Sequence, residues 1–325
     1  MNGHKHITTV LDPFSGTGTT ALSAAYRGLT GTGLEINPFL VWFSSIKFRK
    51  YSTDTIEKTQ SLGDEIADTT SSSELTVDPP PIHNIERWWN KRELYFLCRL
   101  KACILDTTDD GSPERDLLLA TFCRVVILLS NAAFNHQSMS FKNVNHAPTL
   151  FEIKRDFPDV FRTELSIVLN GAMDNPCIEP TVVTGDARQP SRFLNNTYDM
   201  IITSPPYPNR MSYIRELRPY MYWMDFLTNG RDAGEFDWQA IGGTWGIATS
   251  RLAEWEPGGN YFIPGSLEKS LKGISDPRND NGRLMANYVA KYFEDMWRHI
   301  SDVSTILNPD SEIHYIVGNS TFYNT

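Results

Sequence analysis

The feature that most constrains the fold is a glycine-rich turn placed directly between an apolar segment and a helix-forming segment. Ile7 to Leu11 is apolar and rich in β-branched residues, which is typical of a buried parallel strand. Residues 12–18 read Asp-Pro-Phe-Ser-Gly-Thr-Gly, and a proline with two glycines indicates a turn. Thr19 to Tyr26 then predicts a helix, and Thr32 to Ile36 predicts a second strand. The beginning of the chain therefore predicts a βαβ unit.

Strand character returns in the second half of the chain. Thr181 to Thr184 and Asp199 to Thr203 are short β-branched or apolar segments, and each is followed by turn residues. Leu284 to Ile306 predicts a long amphipathic helix, and Glu312 to Val317 predicts a fifth strand. Because strands alternate with helices, the sequence predicts an α/β fold with a doubly wound, mostly parallel sheet and a helical insert.

Three parts of the chain differ in texture and suggest its division. Residues 1–50, 180–227 and 284–325 contain the predicted strands and form the expected core. Residues 51–179 carry helical periodicity and predict a mainly helical insert, with Trp88 and Trp89 in its interior. Residues 228–283 are rich in glycine and predict an irregular insert.

Composition excludes several classes of protein. The 325 residues include 30 Lys+Arg and 39 Asp+Glu, and the net charge of -9 argues against a general polyanion-binding surface, although a local basic cleft remains compatible with nucleic acid. No apolar run approaches the roughly 20 residues of a membrane span, and the first residues lack an apolar signal region. The four cysteines form no CxxC pair, so we expect a cytoplasmic protein. The histidines and cysteines show no metal-ligand spacing, so the sequence predicts no metal site.

The first glycine-rich turn by itself is compatible with more than one nucleotide ligand. A turn of this kind lets the backbone approach a ligand closely. Gly16 and Gly18, with Ala21 three residues further on, fit a dinucleotide fingerprint, and Glu35 lies 19 residues past Gly16. A phosphate-binding P-loop is excluded because no lysine follows the second glycine. A nicotinamide-dependent dehydrogenase therefore remains open at this point.

Three further motifs follow predicted strands. Glu35, with Asn37 close by, offers a carboxylate that can accept the hydroxyl protons of a ribose. Asp186, in a Gly-Asp-Ala turn, offers an acceptor for an adenine amino group. The sequence Ser-Pro-Pro-Tyr at 204–207 is the most specific signal, because a rigid turn presents fixed acceptors beside an aromatic ring. A dehydrogenase leaves this last motif unexplained.

In this order along the chain, the motifs resemble those of the S-adenosylmethionine-dependent DNA amino-methyltransferases. The likeness is strongest to the Ser-Pro-Pro-Tyr group, typical of N4-cytosine enzymes, and covers roughly residues 1–50, 180–225 and 285–320. It implies a Rossmann-like class I methyltransferase core, S-adenosylmethionine as cofactor and DNA as partner. The implied reaction is methyl transfer to the exocyclic amino group of a flipped base, with cytosine N4 favoured over adenine N6.

The resemblance also implies roles for individual residues. The implied catalytic residues form the Pro-Pro turn: Ser204, Pro205, Pro206 and Tyr207. The implied cofactor-binding residues lie at the ends of the first three strands: Asp12, Phe14, Ser15, Gly16, Gly18, Thr19, Thr20, Glu35, Asn37, Asp186 and Ala187. The insert at 228–283 is a candidate DNA contact. The candidate phosphate contacts are basic residues that follow the Pro-Pro turn or lie in this insert: Arg210, Arg215, Arg218, Lys269 and Lys272.

Two departures from the family pattern suggest a partner. The chain begins six residues before Ile7, and it predicts five strands where this family usually adds a hairpin after the fifth. We therefore expect a second polypeptide or a second copy to complete the sheet, because an open sheet edge is normally covered. Alternatives are half of a split methyltransferase that needs a partner chain, and an RNA or adenine N6 amino-methyltransferase.

Overall fold

The structure is a computed structural model that describes residues 6–133, 140–141, 156–209, 212–244, 246–259 and 263–319. Its first elements are β1 (Thr9–Asp12), α1 (Thr19–Tyr26), β2 (Thr30–Glu35) and α2 (Pro38–Phe48). Helix α1 begins after Gly18 and is followed by Gly28, and both glycines have a positive φ. Helix α2 begins with a proline after Asn37, whose Oδ1 accepts the N–H of Phe39 at 3.0 Å. Local sequence thus defines this βαβα segment.

The next segment is mainly helical. Its elements are α3 (Thr53–Thr70), α4 (Lys91–Thr107), α5 (Pro113–Leu128), the two-residue strands β3 (Ala132–Ala133) and β4 (Ser140–Phe141), and α6 (Phe157–Ala172). Helices α3, α5 and α6 each begin after a side chain that accepts a backbone N–H of the first turn. These capping residues are Ser52, Ser112 and Asp156.

The last segment returns to the sheet. Its elements are β5 (Thr181–Thr184), β6 (Tyr198–Thr203), α7 (Tyr213–Trp223), α8 (Gly230–Gln239), α9 (Ile247–Glu254), α10 (Gly265–Ile274), α11 (Gly282–Val303) and β7 (Leu307–Tyr315). No helix in the described ranges has both the length and the apolar character that a membrane span requires.

The main sheet has five parallel strands in the order β5-β2-β1-β6-β7. The prediction of a mostly parallel α/β sheet is therefore confirmed. Leu11, Leu34 and Ile201 come from its three inner strands and are fully buried in one apolar cluster. Strand order reverses between β1 and β6, and in open parallel sheets ligands bind beside the carboxyl ends of the strands at such a point.

The chain divides into two compact units, the first of which contains this sheet. The first unit consists of residues 1–48, 176–215 and 230–325, and the second of residues 49–175 and 216–229. In the second unit Trp89 and Trp223 are almost completely buried, with ring centroids 5.7 Å apart, and Phe122 packs on Trp223. This aromatic packing explains why residues 216–229 join the helical unit rather than the predicted core.

Residues 228–283 differ from the irregular insert that the sequence predicts. They contain α8, α9 and α10, and they belong to the unit that contains the sheet. Glycine misled the prediction because four of these glycines lie at helix starts: Gly230, Gly246, Gly265 and Gly282. Leu252 and Ile274 are buried in one cluster with the apolar face of α11, which stabilises the short helices by packing.

Candidate functional site

A cavity of about 250 Å³ opens beside the ends of β1, β2, β5 and β6. Eight residues singled out from the sequence line it: Phe14, Gly16, Glu35, Asn37, Asp186, Ala187, Ser204 and Pro206. Ten lining residues were not singled out: Pro13, Leu34, Ile36, Leu40, Gly185, Tyr213, Ile214, Gln239, Ala240 and Ile241. The fold thus brings the ends of four strands to one cavity.

The glycine-rich turn packs closely on α2. Gly16 and Gly18 have φ values of 54° and 77°, a region that side chains rarely adopt. A Cβ on Gly18 would lie 2.5 Å from Cζ of Phe48, so this approach requires glycine. The Ser44 hydroxyl donates to the Gly16 carbonyl at 3.2 Å. Helix α2 therefore fixes the backbone that forms one wall of the cavity.

Asp12 lies beneath the cavity rather than in its wall. Its buried carboxylate accepts the Thr203 hydroxyl at 2.6 Å, the Phe14 N–H at 3.1 Å and the Thr20 side chain. Burial raises the pKa of Asp12, and these hydrogen bonds oppose the shift. Asp12 thereby joins the glycine-rich turn to the end of β6. Gly18, Thr19 and Thr20 also lie outside the lining, because they begin α1.

Ser15 is buried behind the same turn. Its Oγ has no hydrogen-bond partner among the described residues. A Cβ on Gly33 of β2 would lie 2.2 Å from that Oγ, so the side chain presses directly against the neighbouring strand. A buried hydroxyl without a partner is unfavourable by itself, and a bound polar group is one way to satisfy it.

Glu35 is held by the backbone at the end of β2. Its Oε2 accepts the N–H of Gly16 and its Oε1 accepts the N–H of Asn37, both at 2.8 Å. Burial raises the pKa of Glu35 to about 7, the N–H donors oppose the shift, and the Asp12 charge adds to it. The carboxylate retains acceptor sites toward the cavity, which suits a ligand with two adjacent hydroxyls.

The turn after β5 is fixed by two residues that the sequence did not indicate. The Arg188 guanidinium pairs with Asp186, with Nη2 and Oδ2 2.8 Å apart. His299 of α11 lies 2.6 Å through Nδ1 from the Ala187 carbonyl, and its ring contacts Phe14 edge-on at 4.8 Å. Burial lowers the pKa of His299 to about 4, so the ring is neutral near pH 7. His299 therefore supports two walls of the cavity.

The Pro-Pro turn is tied to the segment after β7. Ser204 Oγ donates to the Ile316 carbonyl at 3.3 Å and lies 3.2 Å from the Tyr207 hydroxyl. The Tyr213 hydroxyl accepts a hydrogen bond from the Tyr207 backbone, so the start of α7 supports the turn. Pro205 is buried, and neither Pro205 nor Tyr207 lines the cavity.

The basic residues singled out from the sequence occupy different surroundings. Arg210 lies outside the described residues. The Arg218 guanidinium lies 5.1 Å from the Trp88 ring centroid in the helical unit. Lys269 and Lys272 are exposed on α10, where Lys272 pairs with Glu268 at 2.7 Å. Arg215 is half-buried on α7. Their contact with DNA stays a prediction.

The wall at 239–241 was missed because it follows a helix that the sequence prediction treated as irregular chain. The available signal is the pair Gly242-Gly243 after an apolar residue, which marks a turn. Gly242 has a φ of 78°, and Gly243 passes so close to Asp237 that a side chain would clash. Such a pair indicates a tight turn but gives no indication of a cavity wall.

Comparison with known proteins yields a relative that is aligned over almost the whole chain. The chain is similar to the Type II methyltransferase M.MvaI of Kocuria varians, with 23% identity over 345 aligned positions that cover 97% of this chain and 71% of the relative. No protein-family model matches the chain. No solved structure matches it either. The similarity to M.MvaI supports a relationship to methyltransferases.

Proposed function

We propose that this protein is a DNA methyltransferase of the restriction-modification type that uses S-adenosylmethionine and methylates an exocyclic amino group, with cytosine N4 as the favoured target. The observation that carries the proposal is that Glu35, Asp186 and Ser204 line one cavity at the reversal point of a parallel sheet. The similarity to a Type II methyltransferase over 97% of the chain supports the same class.

The residues present fit S-adenosylmethionine. Glu35 suits the ribose hydroxyls, and Asp186 suits the adenine amino group. The Gly16 turn, with the unpartnered Ser15 Oγ behind it, suits the polar methionine part. When bound, this cofactor supplies a methyl group on a positively charged sulfur.

In the proposed mechanism, the Pro-Pro turn prepares the amino group of the target base. Because the Ser204 hydroxyl donates its proton to the Ile316 carbonyl, it has an acceptor lone pair for an amino proton even when the Tyr207 hydroxyl donates to it. The Pro205 carbonyl is proposed as the second acceptor, and Tyr207 as a stacking surface. Two acceptors favour a pyramidal nitrogen, and fixed dipoles stabilise the positive charge that develops on it. The chain contributes positioning and electrostatics rather than a strong base.

The test is nucleoside analysis after reaction with methyl-labelled S-adenosylmethionine and duplex DNA, with RNA in a parallel reaction. Digestion followed by mass spectrometry is expected to give N4-methylcytosine. Ser204→Ala should abolish product while retaining cofactor binding, whereas Ser45→Ala, an exposed serine of α2, should behave as wild type. N6-methyladenine would keep the class but overturn the cytosine assignment, and label only in RNA would overturn the DNA assignment. NAD binding in place of S-adenosylmethionine would favour a dehydrogenase.

We also propose that a second polypeptide or a second copy completes the sheet. Strand β7 ends the sheet, and no strand within the described ranges pairs with its outer edge. Ile313, Ile316 and Val317 expose about half or more of their surfaces at 51%, 58% and 65%. Open edges of this kind are normally covered. Sedimentation analysis should therefore show an assembly when the protein is active, and a fully active monomer would contradict the proposal.

A further inference from the structure

We infer that Arg188 is a positioning residue that holds the two walls of the adenine end of the cavity together and sets selectivity for an adenine base. The adenine end is defined here as Asp186 and Ala187 on one wall and Gln239, Ala240 and Ile241 on the other. The inference rests on the proposed function, since it assigns the base of the cofactor to this end.

Arg188 reaches both walls. Its Nε lies 3.0 Å and 2.9 Å from the two carboxylate oxygens of Asp186, and its backbone N–H donates to Oδ1 at 2.9 Å. Its Nη2 donates to the Gln239 carbonyl at 2.8 Å. The guanidinium is planar and rigid, so these bonds fix the distance between the turn after β5 and the end of α8. Lysine cannot reproduce this fork.

A second carboxylate holds the other side of the guanidinium. Asp295 of α11 lies 3.6 Å from Nη1 and also pairs with Lys291 at 2.6 Å. The side chains of Asp295 and Lys291 are 3% and 12% exposed, so this part of the network is shielded from solvent. Arg188 is therefore held from the protein interior and has little freedom to turn away from the cavity.

The pairing limits what Asp186 can bind. A carboxylate offers about four acceptor positions. Arg188 occupies two of them with hydrogen bonds from its backbone N–H and its Nε–H, and its Nη2 lies 2.8 Å from Oδ2 as an ion pair. The acceptor positions that remain keep a fixed direction, which suits the amino group on the edge of adenine. Without the guanidinium, the carboxylate can rotate and accept other donors, such as the ring N–H of inosine.

The experiment compares two ligands that differ only at this edge: S-adenosylhomocysteine and its deaminated inosine analogue. Calorimetry is performed on wild type and Arg188→Lys. The matched control is Arg251→Lys, which alters another bidentate pair, with Glu235 at 2.8 Å, away from the cavity lining. Arg188→Lys should weaken binding of the adenosine ligand about tenfold, through lost charge-assisted bonds, and the inosine ligand much less. Arg251→Lys should leave the ratio of the two affinities unchanged.

The outcomes separate this inference from the proposed function. If wild type binds neither ligand, the proposed function fails. If wild type prefers the adenosine ligand and Arg188→Lys keeps the same preference, Arg188 does not set selectivity and the inference is overturned. An equal loss for both ligands indicates a merely structural role and also overturns it. If Arg188→Lys does not fold, Asp295→Asn provides the test, because it removes a charge that holds Arg188 and should lower the same ratio.

Discussion

Raising the pH from 6 to 8 should tighten S-adenosylmethionine binding and lower the stability of the free protein, and Glu35 is the reason for both. Its pKa in the free protein is about 7, against an ordinary 4.5, because burial disfavours the charged form. Ribose hydroxyls donate to a carboxylate, so the ligand favours the ionised form. The two effects therefore have opposite signs.

The magnitude of the binding effect follows from the ionised fraction. With a pKa of about 7, the ionised fraction of Glu35 rises from about one tenth at pH 6 to about nine tenths at pH 8. The association constant should therefore increase about tenfold over this range. The raised pKa has the opposite effect on the stability of the free protein. The contribution of Glu35 to the free energy of unfolding is complete below about pH 4.5 and is lost as the pH rises through about 7.

The assay is calorimetric titration at pH 6, 7 and 8, with thermal unfolding of the free protein under the same conditions. Glu35→Gln should bind weakly and lose the pH dependence that Glu35 contributes. Glu312→Gln changes an exposed carboxylate on β7 and should retain it. The ligand's own titration is common to all three proteins, so the difference between them reports Glu35. His299 does not interfere, because its pKa is about 4. An equal pH slope in wild type and Glu35→Gln would refute the reasoning.

Two substitutions test supports of the site, and a third tests the stability of α6 in the second unit. Thr203→Val removes the hydroxyl that donates to the buried Asp12 at 2.6 Å, and it should cost about 2 kcal/mol of unfolding free energy in urea titrations. An unchanged midpoint would contradict this role. Gly33→Ala would place a Cβ 2.2 Å from Oγ of Ser15, so cofactor affinity in calorimetry should fall, and wild-type affinity would show that the turn tolerates the shift. Gly171→Ala in α6 meets nothing within 4 Å and should instead raise the unfolding free energy by up to about 1 kcal/mol, so a lower urea midpoint would contradict the expected helix stabilisation.

Some of the site was predictable because its signals are local. The helix Thr19–Tyr26 and the strand Thr181–Thr184 have the predicted bounds, since glycine turns and β-branched runs act within a few residues. The residues after β1, β2, β5 and β6 were predicted to share one ligand, and eight of them do line one cavity. Parallel strands make this inference possible, because their carboxyl ends meet at one edge.

Other predictions depended on how helices pack, and sequence composition misled them. The glycines of residues 228–283 suggested irregular chain, but three of them stand at the starts of short helices that contribute to the cluster around α11. Asp12 stays a predicted cofactor contact, and what the sequence did not indicate is that its carboxylate also joins β1 to β6 without lining the cavity. A glycine looks the same in the sequence whether it lies in a loop or at a helix start, and an aspartate looks the same whether it faces a ligand or a neighbouring strand. Only the residues around it in space distinguish these settings.

The sequence by itself determined the order of the five sheet strands along the chain and the chemical groups at the strand ends, because these depend on short patterns along the chain. Only the tertiary structure decided which side chains hold the turns at the strand ends in place. Arg188 meets the Gln239 carbonyl 51 residues away, and His299 meets the Ala187 carbonyl 112 residues away. Such contacts leave no local pattern, because they arise when α8 and α11 pack in the sheet-containing unit and their buried polar groups must find partners there.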